Sequence, residues 1–294
     1  MRRCDRSSVL CAVLSLGFTF LLWAANAWAT DVPIPHGTIE LIAENQWIAP
    51  GRDFYLGLHY QLEKGWHIYW VNPGDSGEPP RVIWTLAAGL TAGAIEWPTP
   101  HRLGTSSVVD FGYEDVVTLI VPMHAETNLL QQQSEQLSAE VKVLVCREMC
   151  IPGKVQVSLT LPIKLQSPAS NSRTAELFAT ARKALPRPKP ANWKFSVEQA
   201  KNSFILTANL GHQVPLASFF PLDESQISNA TPQKVVPVAT GFRMTLQKSD
   251  QLLKPIKRLK GVLVLSADRA YLIDVPVGKP GALKNSTGPS IQSE

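Results

Sequence analysis

Two cysteines, Cys146 and Cys150, are separated by three residues in the run Val-Leu-Val-Cys-Arg-Glu-Met-Cys-Ile-Pro that ends at Pro152. Thiols at this spacing support three kinds of chemistry: a static disulfide, a redox couple or a metal site. A strand-like run, Val141–Cys146, leads in, and a second, Val155–Leu161, leads out. A three-residue hairpin loop between them would bring the two Cα atoms within disulfide range. Closing so short a loop stabilises a fold by only about 2 kcal/mol on the chain-entropy formula. That modest value leans toward chemistry, whereas lone pairs in exported proteins are usually structural. Arg147 favours a thiolate at Cys146 and Glu148 opposes it.

Metal binding is the third option. Two thiolates suit Cu(I), with Met149 or a distant histidine as a third ligand. His36, His59, His67, His101, His124 and His212 are scattered, with no pair at metal-ligand spacing. Two cysteines alone do not make a zinc site. Cys150 is followed by Ile151, so the histidine needed for covalent haem attachment is missing. No cofactor or resident metal is expected. A Cys-x3-Cys-x-Pro run also opens helices in thioredoxin-fold proteins. Here Gly153 and an alternating strand follow instead, which argues against that fold.

The elements that must position the pair read as β. Thr38–Ala43, Phe54–Leu62, Trp66–Val71, Val82–Leu86 and Val116–Met123 are short runs rich in β-branched and aromatic residues. Turn signals such as Pro50-Gly51 and Asn72-Pro73-Gly74-Asp75 separate them. Val155, Val157, Leu159 and Leu161 alternate with polar residues, giving one buried and one wet face. Such a series predicts a sandwich of immunoglobulin type. Thr174–Leu185 then reads as an amphipathic helix with Leu177, Phe178, Ala181 and Leu185 on one face and Ser172 or Thr174 as cap. Pro186, Pro188 and Pro190 follow as a stiff linker. Phe204–Ala208, Val235–Val238, Phe242–Leu246, Gly261–Leu265 and Tyr271–Val277 form a second set of strands without cysteine. The expected fold class is all-β, with two immunoglobulin-like β-sandwich domains joined by a short helix and Pro-rich linker. The expected division is a signal peptide over 1–29, a first domain over 31–165, helix and linker over 166–191, a second domain over 192–278 and a disordered tail over 279–294.

The compartment follows from the N-terminus. Arg2, Arg3 and Arg6 precede an apolar stretch from Val9 to about Trp23, and Ala27-Trp28-Ala29 ends it. This is the pattern of a cleaved secretory signal, and it takes Cys4 and Cys11 with it. No later segment is long and apolar enough to span a membrane. The mature chain is expected in the periplasm, where disulfides persist. The net charge is only +4, and weaker still without the signal, so neither nucleic acid nor an anionic membrane is an expected partner.

Further residues match a known family. Gly65-Trp66-His67-Ile68-Tyr69-Trp70 and Asn72-Pro73-Gly74-Asp75-Ser76-Gly77 resemble the periplasmic N-terminal region of suppressor-of-copper-sensitivity B proteins, relatives of the thiol:disulfide interchange protein DsbD. Glu96-Trp97-Pro98-Thr99-Pro100, Phe111-Gly112-Tyr113 and the Cys146 to Pro152 run continue the match in order. The resemblance covers residues 37–165 well and the remainder loosely. It implies an immunoglobulin-like domain whose cysteine pair, Cys146 and Cys150, relays reducing equivalents by thiol–disulfide exchange, in a family linked to copper tolerance. DsbD itself spaces its pair more widely. The chain stops at Glu294 with no multi-span or thioredoxin domain, so a separate membrane thiol reductase and periplasmic thioredoxin-like proteins are the expected partners. By analogy with a hairpin pair, Cys150 would form the mixed disulfide and Cys146 resolve it.

Other residues are candidates to assist. Asp110, Tyr113 and Glu114 could move protons, although a solvated turn is the plainer account of them. Trp66 and His67 belong to an aromatic set that suits core packing. Asn72, Pro73, Gly74 and Asp75 begin a loop that reads as a surface turn or as a lid over the cysteines. Two further readings stay open: an immunoglobulin-like binding module with an inert disulfide, and a Cu(I) carrier.

Overall fold

The computed structural model describes residues 31–104, 107–129 and 134–278; the expected signal peptide and tail lie outside them. Its first part holds β1 (Val32–Ile34), β2 (Gly37–Ala43), β3 (Asp53–Leu62), β4 (His67–Gly74), β5 (Arg81–Thr85), β6 (Leu90–Ala92), β7 (His101–Leu103), β8 (Asp110–Glu114), β9 (Val116–Ala125), β10 (Ser134–Cys146) and β11 (Cys150–Pro162). One sheet runs β1-β2-β3-β9-β6 and the facing sheet β11-β10-β4-β8-β7, with β5 also on β10. Their inner faces carry alternate apolar residues. Leu137, Ala139, Val141 and Val145 of β10 are wholly buried, as are Leu56, Leu58 and Tyr60 of β3. This is the packing of an immunoglobulin-like sandwich.

The helix α1 (Ala175–Ala184) packs on the outer face of the first sheet, in a small apolar cluster of its own. Phe178 and Ala181 pack on Ile42 of β2 and Ile120 of β9, with Leu177 and Leu185 alongside. Thr174 holds the N-cap position but makes no side-chain cap bond. Its hydroxyl instead donates to the Ala43 carbonyl at 2.6 Å, which ties the start of the helix to β2. Arg182 donates to Glu44 and lies over the Tyr55 ring.

The proline-rich stretch does not hang free. Within it β12 (Arg187–Pro188) runs parallel to the last strand of the chain. The second part comprises β13 (Lys194–Gln199), β14 (Ser203–Asn209), β15 (Ser218–Pro221), β16 (Lys234–Val238), β17 (Gly241–Gln247), β18 (Arg258–Ser266) and β19 (Arg269–Gly278). They form a curled sheet ordered β15-β18-β19-β13-β14-β17-β16, with β12 on β19. Phe204, Leu206, Phe242, Met244, Leu259 and Leu263 fill its core.

The two parts share apolar contact. Phe220 of β15 is buried in the first core, edge-on to Trp70 at 6.4 Å and to Phe111 at 5.2 Å. Edge-to-face aromatic pairs at these distances are favourable beyond the area they bury. Replacing Phe220 with Ala should cost about 3–5 kcal/mol. The check is urea unfolding followed by tryptophan fluorescence, which should keep one transition at a lower midpoint. An unchanged midpoint would mean that the two parts are energetically independent.

Candidate functional site

The hairpin β10–β11 pairs thirteen residues without a bulge, from Ser134 opposite Pro162 to Cys146 opposite Cys150. Odd-numbered residues of both strands face the core, so the even-numbered cysteines emerge on the opposite, outer face. There they form a disulfide, with Cα atoms 4.1 Å apart. Arg147 N donates to Met149 O and closes the turn at 3.2 Å. On its other side Cys146 pairs with His67 of β4. The two cysteines are unequally exposed: Cys146 is buried at 2%, whereas Cys150 is an exposed residue.

The same parity selects the neighbours. His67 and Tyr69 of β4 face outward, and Glu114 and Gly112 of β8 stand opposite them in register. His67, Tyr69 and Glu114, together with Asp110, Ser76, Arg102 and the hairpin turn, line a cleft of about 510 Å³ around the disulfide. The Tyr69 hydroxyl donates toward Cys150 Sγ at 3.5 Å, at the limit for sulfur. Asp110 accepts from Ser76 N at 2.9 Å and from its Oγ at 2.9 and 3.0 Å. A larger cleft of about 670 Å³ lies between Glu78–Arg81 and the Lys142–Lys154 stretch of the hairpin. It contains no cysteine, serine or histidine, and its Lys154 is paired to Glu140 at 3.0 Å on the surface. The smaller cleft, which holds both cysteines, is the candidate site.

Electrostatics in the cleft follow from burial. His67 Nε2 is buried and has no hydrogen-bond partner among the described residues. Desolvation lowers its pKa, against smaller raising effects of Asp110 and Glu114. Burial also raises the Tyr69 pKa, so its phenol stays protonated and able to donate. Among the described residues, no three His, Cys, Asp or Glu side chains gather at metal-binding geometry.

The structure sorts the residues marked from sequence. Cys146, Cys150, His67, Asp110 and Glu114 meet around one cleft. Tyr113 does not join them: it points into the core and its hydroxyl donates to Pro98 O at 2.8 Å. Asp110, Tyr113 and Glu114 are not a solvated turn but strand β8, with Asp110 8% exposed. Trp66 is buried behind the turn, stacked on His36 at 3.7 Å with the Arg147 guanidinium 5.0 Å above its ring. Asn72, Pro73 and Gly74 are the end of β4 rather than a surface turn. The loop that follows crosses Tyr69 at Gly77, where φ is +81° and an added Cβ would lie 2.1 Å from the ring. Thus Tyr69 is only 1% exposed although it faces away from the core. Tyr69 read from the sequence only as one of the core-packing aromatics, and Ser76 carried no site role; the outward parity of Tyr69 with His67 was the available signal.

An immunoglobulin-like β domain with a disulfide at a hairpin end, inside a polar cleft, defines a class before any comparison. Residues 39–162 match the family described as "Thiol:disulfide interchange protein DsbD, N-terminal". This segment is a DsbD-type N-terminal domain, and both cysteines fall within it. The N-terminal periplasmic domain of ScsB from Proteus mirabilis has the same fold over both parts. Its TM-score is 0.65 at 17% identity, covering 86% of this chain and 100% of that chain. The periplasmic chaperone SfaE and domains 5–6 of the S-layer protein SbsC align at TM-scores of 0.22, with 8% and 9% identity. They cover 81% and 83% of this chain and 99% of each of theirs. No curated protein matches the chain.

A buried histidine, His59, and a half-buried one, His67, make stability pH-dependent. Both His59 and His67 have lowered pKa values through desolvation. Below about pH 6.5 the unfolded chain takes up protons that the folded chain resists. Their effect on stability is therefore absent above that pH and becomes a growing penalty as the pH falls toward the folded values. Thermal melts from pH 7.5 to 5 should show a falling midpoint, and His67→Gln should flatten that fall. An identical slope in the variant would mean that His67 is not desolvated.

Proposed function

We propose that this protein works in the periplasm, on the suppressor-of-copper-sensitivity branch of the family. It would take two electrons from a separate membrane thiol reductase and pass them to periplasmic thioredoxin-like proteins. The observation that carries this reading is the unequal exposure of the two cysteine residues at one cleft. An exposed Cys150 beside a shielded Cys146 suits an ordered two-step exchange, whereas an inert staple needs no such asymmetry.

In the reduced protein the Cys150 thiolate attacks a partner disulfide. A mixed disulfide forms at Cys150, and the partner's leaving thiolate takes up a proton. Cys146 then loses its proton and attacks Cys150 Sγ. The Cys146–Cys150 bond re-forms and the partner's second sulfur leaves as a thiol. Two electrons and two protons have moved to the partner. His67 stands opposite Cys146 in the sheet with an unpartnered Nε2, and we assign it the proton that Cys146 gives up. Its lowered pKa keeps the imidazole neutral and able to accept near neutral pH. Tyr69, donating toward Cys150, would stabilise the thiolate there.

Titration against glutathione with thiol trapping tests the reading. A potential above roughly −250 mV with rapid exchange is expected, because labile disulfides are the redox-active ones. A value below roughly −300 mV with slow exchange would mark an inert bond and leave a binding module.

The order of attack has its own test. Reduced Cys146→Ser should trap glutathione at Cys150 after exposure to glutathione disulfide, and Cys150→Ser should trap far less. In the chain that keeps both cysteines, His67→Gln should slow resolution of the Cys150–glutathione mixed disulfide by Cys146 about 10²-fold at neutral pH, the scale of a lost general base. Equal trapping by both cysteine variants would reject the assigned order.

A further inference from the structure

The outer face of the β10–β11 hairpin continues away from the disulfide as a ladder of facing pairs. Cys146 opposes Cys150, Leu144 opposes Pro152, and Lys142 opposes Lys154. On the other side of β10, Arg81 of β5 opposes Lys142. One rung across three strands is therefore Arg81–Lys142–Lys154, and all three residues are exposed. Directly opposed residues hold their Cβ atoms roughly 4.5–5.5 Å apart, and like charges at that spacing are destabilising. Lysine is also a poor strand former.

Among the described residues, two carboxylates answer the three cations. Glu140 lies 3.0 Å from Lys154 and 3.8 Å from Lys142, and Glu78 lies 3.6 Å from Arg81. Exposed ion pairs of this kind contribute little to stability. One positive charge is left over. A rung that opposes folding and is incompletely compensated has a physical reason if a negative charge reaches it from outside.

The rung also borders a groove that leads to the disulfide. β10 meets β4 at Cys146 and β5 over residues 138–142. Between them, among the described residues, it has a paired strand on the β11 side alone. There the cleft of about 670 Å³ opens between Glu78–Arg81 and the hairpin. The half-buried Leu144 and the exposed Pro152 line it, as the apolar rung between the cations and the cysteines. Four residues take β11 from Cys150 to Lys154, about 14 Å along an antiparallel strand.

We propose that this groove is the docking surface for the redox partner, and that the partner it fits carries carboxylate side chains about 14 Å from its reactive disulfide. Arg81, Lys142 and Lys154 receive the carboxylates, Leu144 and Pro152 carry the apolar contact between, and the partner disulfide comes to Cys150. The proposal rests on the exchange reading above and names the chemistry of the partner. Charges set beside a reactive centre raise the encounter rate and fix orientation more than they add affinity. The groove thus selects among disulfides that an exposed Cys150 would otherwise meet alike.

The test uses the reduced full chain and two synthetic peptide disulfides. One is the disulfide-linked dimer of acetyl-Cys-Gly-Ser-Gly-Asp-Asp-amide, and the other carries asparagine for both aspartates. An extended peptide of this length spans about 14 Å from cysteine to the first aspartate, so the carboxylates reach the rung when the sulfur meets Cys150. The Cys150 thiolate attacks the peptide disulfide, one peptide leaves as a thiol, and Cys146 then expels the second. At about 20 mM salt the aspartate peptide should oxidise wild type about fivefold faster than the asparagine peptide. At about 1 M salt, where the screening length falls to about 3 Å, that ratio should approach one. Lys142→Gln combined with Lys154→Gln should bring the low-salt ratio within twofold of one. Lys194→Gln combined with Lys234→Gln removes the same charge from exposed positions of the second unit and should leave the ratio unchanged. A wild-type ratio within twofold of one, or an equal fall in both double variants, would overturn the proposal. Absolute rates judge the exchange reading separately. Slow oxidation of wild type by both peptides would reject the relay, while the ratio between them still judges the groove.

Discussion

Parity along one hairpin governs everything around the disulfide. Strands β10 and β11 keep register over thirteen pairs, and their odd-numbered residues must face the sandwich core. A slip of one residue would expose that whole apolar set and is strongly resisted. The cysteines, at even positions, are therefore forced onto the outer face and directly opposite each other. The neighbour on the other edge is set by the same pairing, because Cys146 also faces His67 of β4. The hydrophobic effect thus does the positioning, and the chemistry occupies the face that the core does not claim.

An outer face would normally be wet, and a bare disulfide there would react with any thiol it met. Here the face is partly enclosed. The loop after β4 covers Tyr69, the side chains of Asp110 and Glu114 border the cleft, and Cys146 retains 2% exposure. Enclosure acts twice. It hides one sulfur of the pair, and it desolvates His67, favouring a neutral base beside that hidden sulfur. A buried Cys146 and a desolvated His67 thus arise together on this partly enclosed face.

The cysteine pair, the hairpin that carries it and the outward alternation of β11 were legible, because each rests on local spacing. Strand β8 was not. Asp-Phe-Gly-Tyr-Glu carries the polar residues and glycine of a turn, yet four of its five residues are buried. It has core on one face and a covering loop on the other, and only the fold supplies the second cover. The continuation of β4 through Asn72, Pro73 and Gly74 was hidden for a related reason. Proline and glycine signal a break, while what keeps this segment inside is a hydrogen bond from the Asn72 side-chain amide to Pro221 O, 149 residues away. Thr174 was legible as a helix start, but the choice of its hydroxyl for Ala43 O over a cap depended on β2 lying alongside. Local signals gave the elements; the cleft needed contacts distant in sequence.

Two β units in one chain could be a redox domain and an unrelated passenger. The contacts between them argue otherwise. A passenger needs only an apolar seam, and Phe220 with Trp70 and Phe111 provides one. Polar contacts at a buried seam cost desolvation unless they are well matched, and they direct orientation more than affinity. In this protein they converge on Asn72 and Asp75, the residues from which the covering loop departs. An interface evolved for attachment alone would have no reason to concentrate its polar matching at that one departure point. The second unit is therefore best understood as the fixed support against which the loop over Tyr69 is held.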